Sequence, residues 1–281
     1  MDKNYILNYY SQNLDEEVIA SNDVTKYNKK IKKIRTQLDD FINENYSIDT
    51  RIENILMNHY ISFVKMIDYR NNIRPYEYMD FSRRIGELWE PFCKLCWKYP
   101  KNSVKIIDPI KFIDAKYKIE EKFNTSIKPL NISDEEKENL LNLYNELWTI
   151  VSSGTINLSS DLHFVLGDYS YNIDFKSGFN SNEKGNLNRL LLVGRIYNLM
   201  NKNYKNIILV RSTDNNNYLE ILRKSKIWEV YSGDECYCKI NELTGVNIKK
   251  WIENNVNWLE DLAPSTVNHI SENKLEKYLQ W

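Results

Sequence analysis

Two carboxylates and one lysine near the middle of the chain are the residues whose types and spacing best suit chemistry. Asp161 precedes Asp174 in the sequence, and Lys176 lies two residues beyond Asp174. Paired carboxylates bind hard divalent cations, and Mg²⁺ typically takes one or two carboxylates together with water and phosphate oxygens. The residues therefore predict a Mg²⁺ site with a lysine beside it. The alternative is an exposed hairpin that carries a local Asp–Lys ion pair.

A predicted turn at Gly167-Asp168 determines how these residues pair. Gly-Asp is a two-residue hairpin signal between alternating strands, and counting outward from it places Asp161 opposite Asp174. Carboxylates that face each other across a strand pair repel, and a cation between them relieves the repulsion. Because side chains alternate along a strand, Asp161, Asp174 and Lys176 share one face. The other face is expected to be buried and consists of Leu162, Phe164, Tyr171, Ile173 and Phe175.

The hairpin resembles the catalytic motif of the PD-(D/E)XK nucleases. Asp161, followed by Asp174-Phe175-Lys176, matches the motif, with Ser160 where the name-giving proline would stand. The continuation over residues 177–191 is similar to type II restriction endonucleases in particular. The close resemblance covers about residues 154–200, whereas the family's order of helix, three strands, helix and strand fits the rest of the chain loosely.

This resemblance implies a restriction-endonuclease-like core and a Mg²⁺-dependent type II endonuclease. Such an enzyme cuts both strands of a short double-stranded DNA site and leaves 5′-phosphates. Asp161, Asp174 and the Phe175 carbonyl would hold the metal, while Lys176 would orient the attacking water and stabilise charge on the phosphate. A homodimer suits two-strand cleavage at a palindrome, and a cognate DNA methyltransferase is the implied functional partner.

Several other residues are candidates for DNA contact. Arg and Asn suit bidentate base contacts and Lys suits phosphate, which singles out Asn182, Lys184, Asn188 and Arg189 beyond the second strand. A solvated polar loop is the alternative. A basic stretch over residues 26–35 could contact phosphates or form a solvated helix face. His163 shares the acidic face, where a structural hydrogen bond opposite Asn172 competes with a phosphate contact.

Other functions and other acidic residues remain open at this point. Some members of the family recruit a glutamate from the first core helix, for which Glu87 is the candidate and Glu146 the rival, although both lie off the apolar stripes of their helices. The alternative functions are a nuclease of the same superfamily that acts in repair or on modified or structured DNA, and a non-catalytic DNA-binding module. The module is disfavoured because DNA binding alone gains nothing from carboxylates near phosphates.

The elements that must position these residues read as a mixed α/β arrangement, a sheet flanked by helices. Residues before 74 show helical periodicity, and another helix is expected over 76–99 with Pro91 inside it. The remaining pattern predicts strands near 104–107, 206–211 and 228–231 and helices near 116–123, 133–151, 186–200 and 218–224. We therefore expect an N-terminal helical region over 1–75 and an endonuclease-type core over 76–281, continuous as one structural unit.

Composition sets the class of protein. The chain has 281 residues, 42% of them hydrophobic and 27% charged, with a net charge of −1, which indicates a folded protein with a real core. No apolar run is long enough for a membrane span and the polar start does not read as a signal peptide, so we expect a cytoplasmic location. Cys93 and Cys96 fall on an apolar helix stripe, and Cys236 and Cys238 have no nearby histidine, which favours reduced thiols over zinc.

Overall fold

The computed structural model describes residues 1–151, 154–179, 184–215 and 217–281, and for Lys184 only the backbone. The chain forms two compact units. The first combines Met1–Val104 with Gly233–Trp281, and the second is the intervening segment Lys105–Ser232. The boundary predicted after residue 75 therefore falls inside the first unit.

Helices and strands are numbered along the chain. The first unit begins with α1 (Lys3–Asn13), α2 (Glu16–Ala20), α3 (Val24–Asn45), α4 (Ile48–Ile73) and α5 (Tyr78–Lys98). The second unit contains β1 (Lys105–Ile106), α6 (Phe112–Ile127), α7 (Asp134–Trp148), β2 (Leu162–Leu166), β3 (Tyr169–Lys176), α8 (Lys184–Met200), β4 (Tyr204–Val210), α9 (Asn217–Ser225) and β5 (Glu229–Ser232). The first unit ends with α10 (Asp234–Thr244), α11 (Ile248–Asn255), α12 (Trp258–Asp261), α13 (Pro264–Glu272) and a 3-10 turn at Glu276–Tyr278.

The first unit is built on the long helices α3 and α4, which pack against each other. Helix α3 begins where the Asp23 carboxylate accepts the backbone N–H groups of Thr25 and Lys26, as an N-cap should. Its buried residues recur at helical spacing and are Tyr27, Ile31, Ile34, Leu38, Asp39 and Ile42. Helix α5 contains Pro91. The predicted helical start of the chain and the helix over 76–99 are confirmed.

A buried polar network joins α1, α3 and α4. The two carboxylate oxygens of Asp39 contact Asn58 Nδ2 at 2.8 Å and His59 Nε2 at 2.9 Å. The Tyr10 hydroxyl donates to Asn58 Oδ1 at 2.7 Å. Burial lowers the pKa of His59, and its hydrogen bond to Asp39 acts in the opposite direction. These polar groups can be buried because their neighbours supply hydrogen-bond partners.

The second unit contains a five-stranded mixed sheet with the strand order β1-β2-β3-β4-β5. Strands β1, β2 and β3 pair antiparallel, whereas β3, β4 and β5 pair parallel. The parallel pairs need helical crossovers, which α8 and α9 supply. The predicted mixed sheet flanked by helices is confirmed, and each predicted strand and helix of this unit is present, with ends that differ by a few residues.

Helix α8 packs close to the end of the α9–β5 connection. A methyl group added at Gly194 would lie 2.5 Å from Trp228 Nε1 and 2.6 Å from the side chain of Ile227, so only glycine fits here without a shift. Trp228 Nε1 donates to the Leu190 carbonyl at 2.7 Å. Gly194 and this tryptophan therefore fix the position of α8 on the sheet.

Aromatic residues near the end of the chain belong to the core of the first unit. Trp251 and Trp258 are buried, and Trp258 packs edge-on against Trp281 with ring centroids 5.1 Å apart. Cys93, Cys96 and Cys236 are buried thiols and Cys238 is an exposed one. Within the described residues, none of the helices combines the length and the apolar character that a membrane crossing requires.

Candidate active site

The hairpin that carries the acidic residues has the predicted register. Leu166 pairs with Tyr169 and Leu162 with Ile173, so the ladder brings the residue before Leu162 to Asp174. Gly167 opens the turn with a φ of +58°, a left-handed conformation that suits glycine and that two-residue hairpins require. A local turn thus determines the pairing of residues that are far apart in the sequence.

Asp161 lies just before β2 and is held by the backbone of β3. Its Oδ2 accepts the Phe175 N–H at 2.7 Å, so the carboxylate takes the place of a further ladder bond. Within the described part of the chain no lysine or arginine pairs with Asp161. The side chain is half-buried. Asp161 is therefore a positioned carboxylate whose negative charge has no ion-pair partner among the side chains that the structure describes.

Asp174 is the more deeply buried acid, with 2% of the residue exposed. Its Oδ1 forms an ion pair with Lys176 Nζ, and its Oδ2 accepts a bond from Arg189 Nη2 at 3.2 Å. Burial raises the pKa of the Asp174 carboxyl, and the nearby charge of Asp161 acts in the same direction, whereas Lys176 and Arg189 lower it. The charges of Asp161 and Asp174 therefore interact, as the register predicts.

The backbone around Phe175 directs a further oxygen toward Asp161. The Lys176 carbonyl accepts the Arg211 N–H at 2.9 Å, on the β4 side of β3. Backbone groups of successive strand residues point to alternate sides. The Phe175 carbonyl therefore points to the β2 side, on which its own N–H meets Asp161. This agrees with the direction that the predicted third ligand requires.

The face of β3 that carries Asn172 and Asp174 is buried, as the apolar face is. Asn172 is fully buried and donates to Asn206 Oδ1 at 3.1 Å, and Asn206 Nδ2 donates to Asn198 Oδ1 at 2.8 Å. The sequence predicted one buried apolar face but did not reveal that α8 covers the polar face. This layer of amides lies on the same side of the sheet as Asp174 and was not found from the sequence.

His163 is a structural residue. It is buried opposite Asn172, and its Nε2 accepts the Ser160 N–H at 3.1 Å. Burial lowers the pKa of His163 to about 4, while the charge of Asp161 acts to raise it. The neutral, hydrogen-bonded imidazole matches the structural role that was weighed against a phosphate contact.

Of the four residues that the sequence predicts to contact DNA, the two whose side chains the structure describes do not lie on one common surface. Asn182 and the side chain of Lys184 lie outside the described residues. Asn188 is exposed on α8. Arg189 instead turns to the acidic site, where it contacts Asp174, and its Nε donates to Asn186 Oδ1 at 3.2 Å. Arg189 is thus part of the candidate active site, a role that the sequence analysis missed.

The two candidate glutamates are exposed. Glu87, on α5 of the first unit, lies 3.8 Å from Arg83 and 3.7 Å from Arg84. Glu146, on α7 of the second unit, is exposed. Where the structure describes side chains, no group of three or more carboxylates, imidazoles and thiols is clustered as a metal ligand set. Glu146, which belongs to the same unit as the acidic pair, therefore forms no such group with it.

The donor set fits Mg²⁺ by its chemistry. Two carboxylates and a backbone carbonyl are hard oxygen ligands, and Mg²⁺ commonly completes its shell with water and phosphate oxygens. Asp161 supplies a negative charge that no lysine or arginine of the described residues pairs with. Asp174 already has two cations, so a metal would compete there with Lys176 and Arg189. As arranged, the four side chains carry two negative and two positive charges.

Comparison of this chain with protein-family models, with curated proteins and with solved structures gives no match.

Proposed function

We propose that this protein is a Mg²⁺-dependent endonuclease that hydrolyses both strands of a short double-stranded DNA site, as type II restriction endonucleases do. We propose in addition that the second unit is a restriction-endonuclease-like core. One observation carries the proposal: Asp161 and Asp174 meet at the end of a hairpin, with Lys176 paired to Asp174 and the Asp161 carboxylate fixed by the Phe175 N–H at 2.7 Å.

Each residue has a defined task in this proposal. Asp161, Asp174 and the Phe175 carbonyl hold the cation, which when bound polarises the scissile phosphate and makes water a better nucleophile. The Lys176 ammonium orients the attacking water and donates to the oxygens on which negative charge develops. Water oxygen then bonds to phosphorus as the bond from phosphorus to the 3′ oxygen breaks. The products are a 5′-phosphate and a 3′-hydroxyl.

Two copies of the chain would give one such site for each strand. A two-fold homodimer matches the symmetry of a palindromic site, so we propose that form. A cognate DNA methyltransferase would protect the host's own sites and is the proposed functional partner. The enzyme would act in the cytoplasm, where the thiols of its four free cysteines remain reduced.

A specific feature favours the non-catalytic alternative. Lys176 and Arg189 already neutralise Asp174, which is how a purely structural buried acid would be satisfied. Asp161 argues the other way: its carboxylate accepts the Phe175 N–H, but among the described residues no lysine or arginine pairs with it, so its charge is left for a cation. A superfamily nuclease that acts in repair or on modified or structured DNA would use the same residues.

The test is to incubate the purified protein with a long natural DNA and Mg²⁺ and to separate the products on a gel. Lys176→Ala, purified in parallel, controls for contaminating nucleases, and Lys118→Ala changes an exposed lysine on α6 as a matched control. Discrete fragments from the wild type and Lys118→Ala alone would support site-specific cleavage. A smear would favour the less specific nuclease. No cleavage of several unmodified DNAs with several divalent metals would refute the enzyme.

A further inference from the structure

A strongly basic surface outside the candidate active site lies on α3. Lysine and arginine occupy six positions between Val24 and Leu38, and no acidic residue occurs between those two residues. The six are Lys26, Lys29, Lys30, Lys32, Lys33 and Arg35. The whole chain carries a net charge of only −1, but these six of its 38 lysines and arginines form a local concentration of positive charge on one helix.

Three of these lysines form a stripe on the outer side of the helix. Lys26, Lys29 and Lys33 are exposed and follow the spacing i, i+3 and i+7, so they share one helix face. We call this face, with the flanking exposed Lys32, the α3 lysine face. It lies opposite the residues that pack α3 into the first unit, which include Ile31, Ile34 and Leu38.

The charges of the α3 lysine face have no ion-pair partners in the part of the chain that the structure describes. Lys30, at its margin, pairs with Asp15 at 2.8 Å, but no lysine of the face itself forms an ion pair within the described residues. Neighbouring positive charges at i+3 and i+4 destabilise a helix, so Lys26, Lys29 and Lys33 weaken α3 in the free protein. A polyanion laid along this face would remove that repulsion.

We infer that the α3 lysine face binds the phosphate backbone of duplex DNA without reading its sequence. Residues 26–33 span about 10 Å along a helix, a length over which a DNA duplex carries about six phosphate charges. The inference rests on the proposed function for the identity of the polyanion. The α3 lysine face would then hold DNA through residues that are remote in sequence from the acidic hairpin.

An anionic membrane is the competing partner for a basic helix. Helices that lie in a membrane interface insert an apolar face beside their basic one. The apolar face of α3 is buried against its own unit, through Tyr27, Ile31 and Leu38 among others, and is not available for insertion. Recognition by charge alone is what a duplex backbone offers, and it is strongly salt-dependent.

The test measures binding of the full chain to a labelled 30-base-pair duplex in EDTA, by fluorescence anisotropy over a range of KCl concentrations. Lys26→Gln, Lys29→Gln and Lys33→Gln are combined in one variant, since glutamine keeps the helix propensity of lysine. A control variant combines Lys118→Gln, Lys128→Gln and Lys250→Gln, three exposed lysines elsewhere. Vesicles of phosphatidylserine and phosphatidylcholine provide the membrane arm.

The slope of log K against log salt is negative, and the α3 variant should reduce its magnitude by about 3, since each lost phosphate contact reduces it by about 0.9. The control variant should keep the wild-type slope. Equal slopes for the two variants, no duplex binding by the wild type, or loss of vesicle binding with unchanged duplex binding would each overturn the inference. The binding test in EDTA is independent of the cleavage test with Mg²⁺. The α3 variant can change the slope although the protein does not cleave DNA, and the protein can cleave DNA although the variant leaves the slope unchanged.

Discussion

Replacing Gly194 by alanine should destabilise the protein, although alanine is the better helix former. Gly194 lies in the middle of α8, where propensity alone would predict a gain of about 1 kcal/mol for this exchange. The added methyl group, however, would meet Trp228 Nε1 at 2.5 Å and Ile227 Cγ2 at 2.6 Å. The Trp228 side chain cannot easily move away, because it is buried and is bonded to the Leu190 carbonyl.

The expected loss follows from these contacts. Forcing an extra methyl group into a packed interior costs about 1–3 kcal/mol. Displacing the indole from the Leu190 carbonyl costs about another 1–3 kcal/mol if the buried N–H is left unsatisfied. After the propensity gain is subtracted, the free energy of unfolding should fall by about 1–5 kcal/mol.

Urea denaturation followed by tryptophan fluorescence measures this change. Gly185→Ala is the matched control on the same helix, because its methyl group would meet no atom within 4 Å, so it should be neutral or stabilising. Introducing Gly194→Ala into a Trp228→Leu background should cost less than in the wild type, since the ring that obstructs the methyl group is gone. If Gly194→Ala stabilises the protein as Gly185→Ala does, the close approach of α8 to Trp228 is wrong.

The remaining predictions concern the candidate active site and the buried histidine. Lys176→Ala should lower DNA cleavage at least about 100-fold while duplex binding persists, because the ammonium acts on developing charge; equal loss in gel and anisotropy assays would assign it to docking. Asp174→Asn should remove the rise in melting temperature that Mg²⁺ gives the wild type, and an unchanged rise would exclude Asp174 as a ligand. Arg189→Gln should enlarge that rise at subsaturating Mg²⁺, since a cation 3.2 Å from Asp174 no longer competes; a smaller rise would contradict this. Urea stability should fall between about pH 7 and about pH 5, because burial lowers the pKa of His59 and that of His163, to about 4, so that both imidazoles bind a proton more readily in the unfolded chain; urea titrations at both pH values would reveal a constant stability if this is wrong.

The hairpin is the part of the site that the sequence predicts best, and the reason is local. A two-residue turn at Gly167 sets the register of everything that follows in both directions, so the pairing of Leu162 with Ile173 needs no knowledge of the rest of the fold. Signals for the ends of helices are equally local. Ser133 and Glu136 form a capping box, and this box marks the start of α7.

Features that depend on tertiary packing were missed. Arg189 shares a helix face with Val193 and Ile196, both buried, so periodicity did contain a sign that it turns toward the sheet. Its place just beyond a polar loop suggested DNA contact instead. The return of residues 233–281 to the first unit leaves no trace in any local pattern, because contacts between distant segments are set by which surfaces fit.

The polar network of the first unit has a consequence for how its helices can slide. Helix α4 is buried on most of its circumference, and aliphatic contacts alone would tolerate a shift of α4 along α3 by one turn, about 5.4 Å. Such a shift would carry Asn58 and His59 away from Asp39 and leave a buried carboxylate without its donors, at a cost of about 3–5 kcal/mol. The polar network thus selects one axial alignment of α3 and α4 and disfavours alignments that are shifted by one turn.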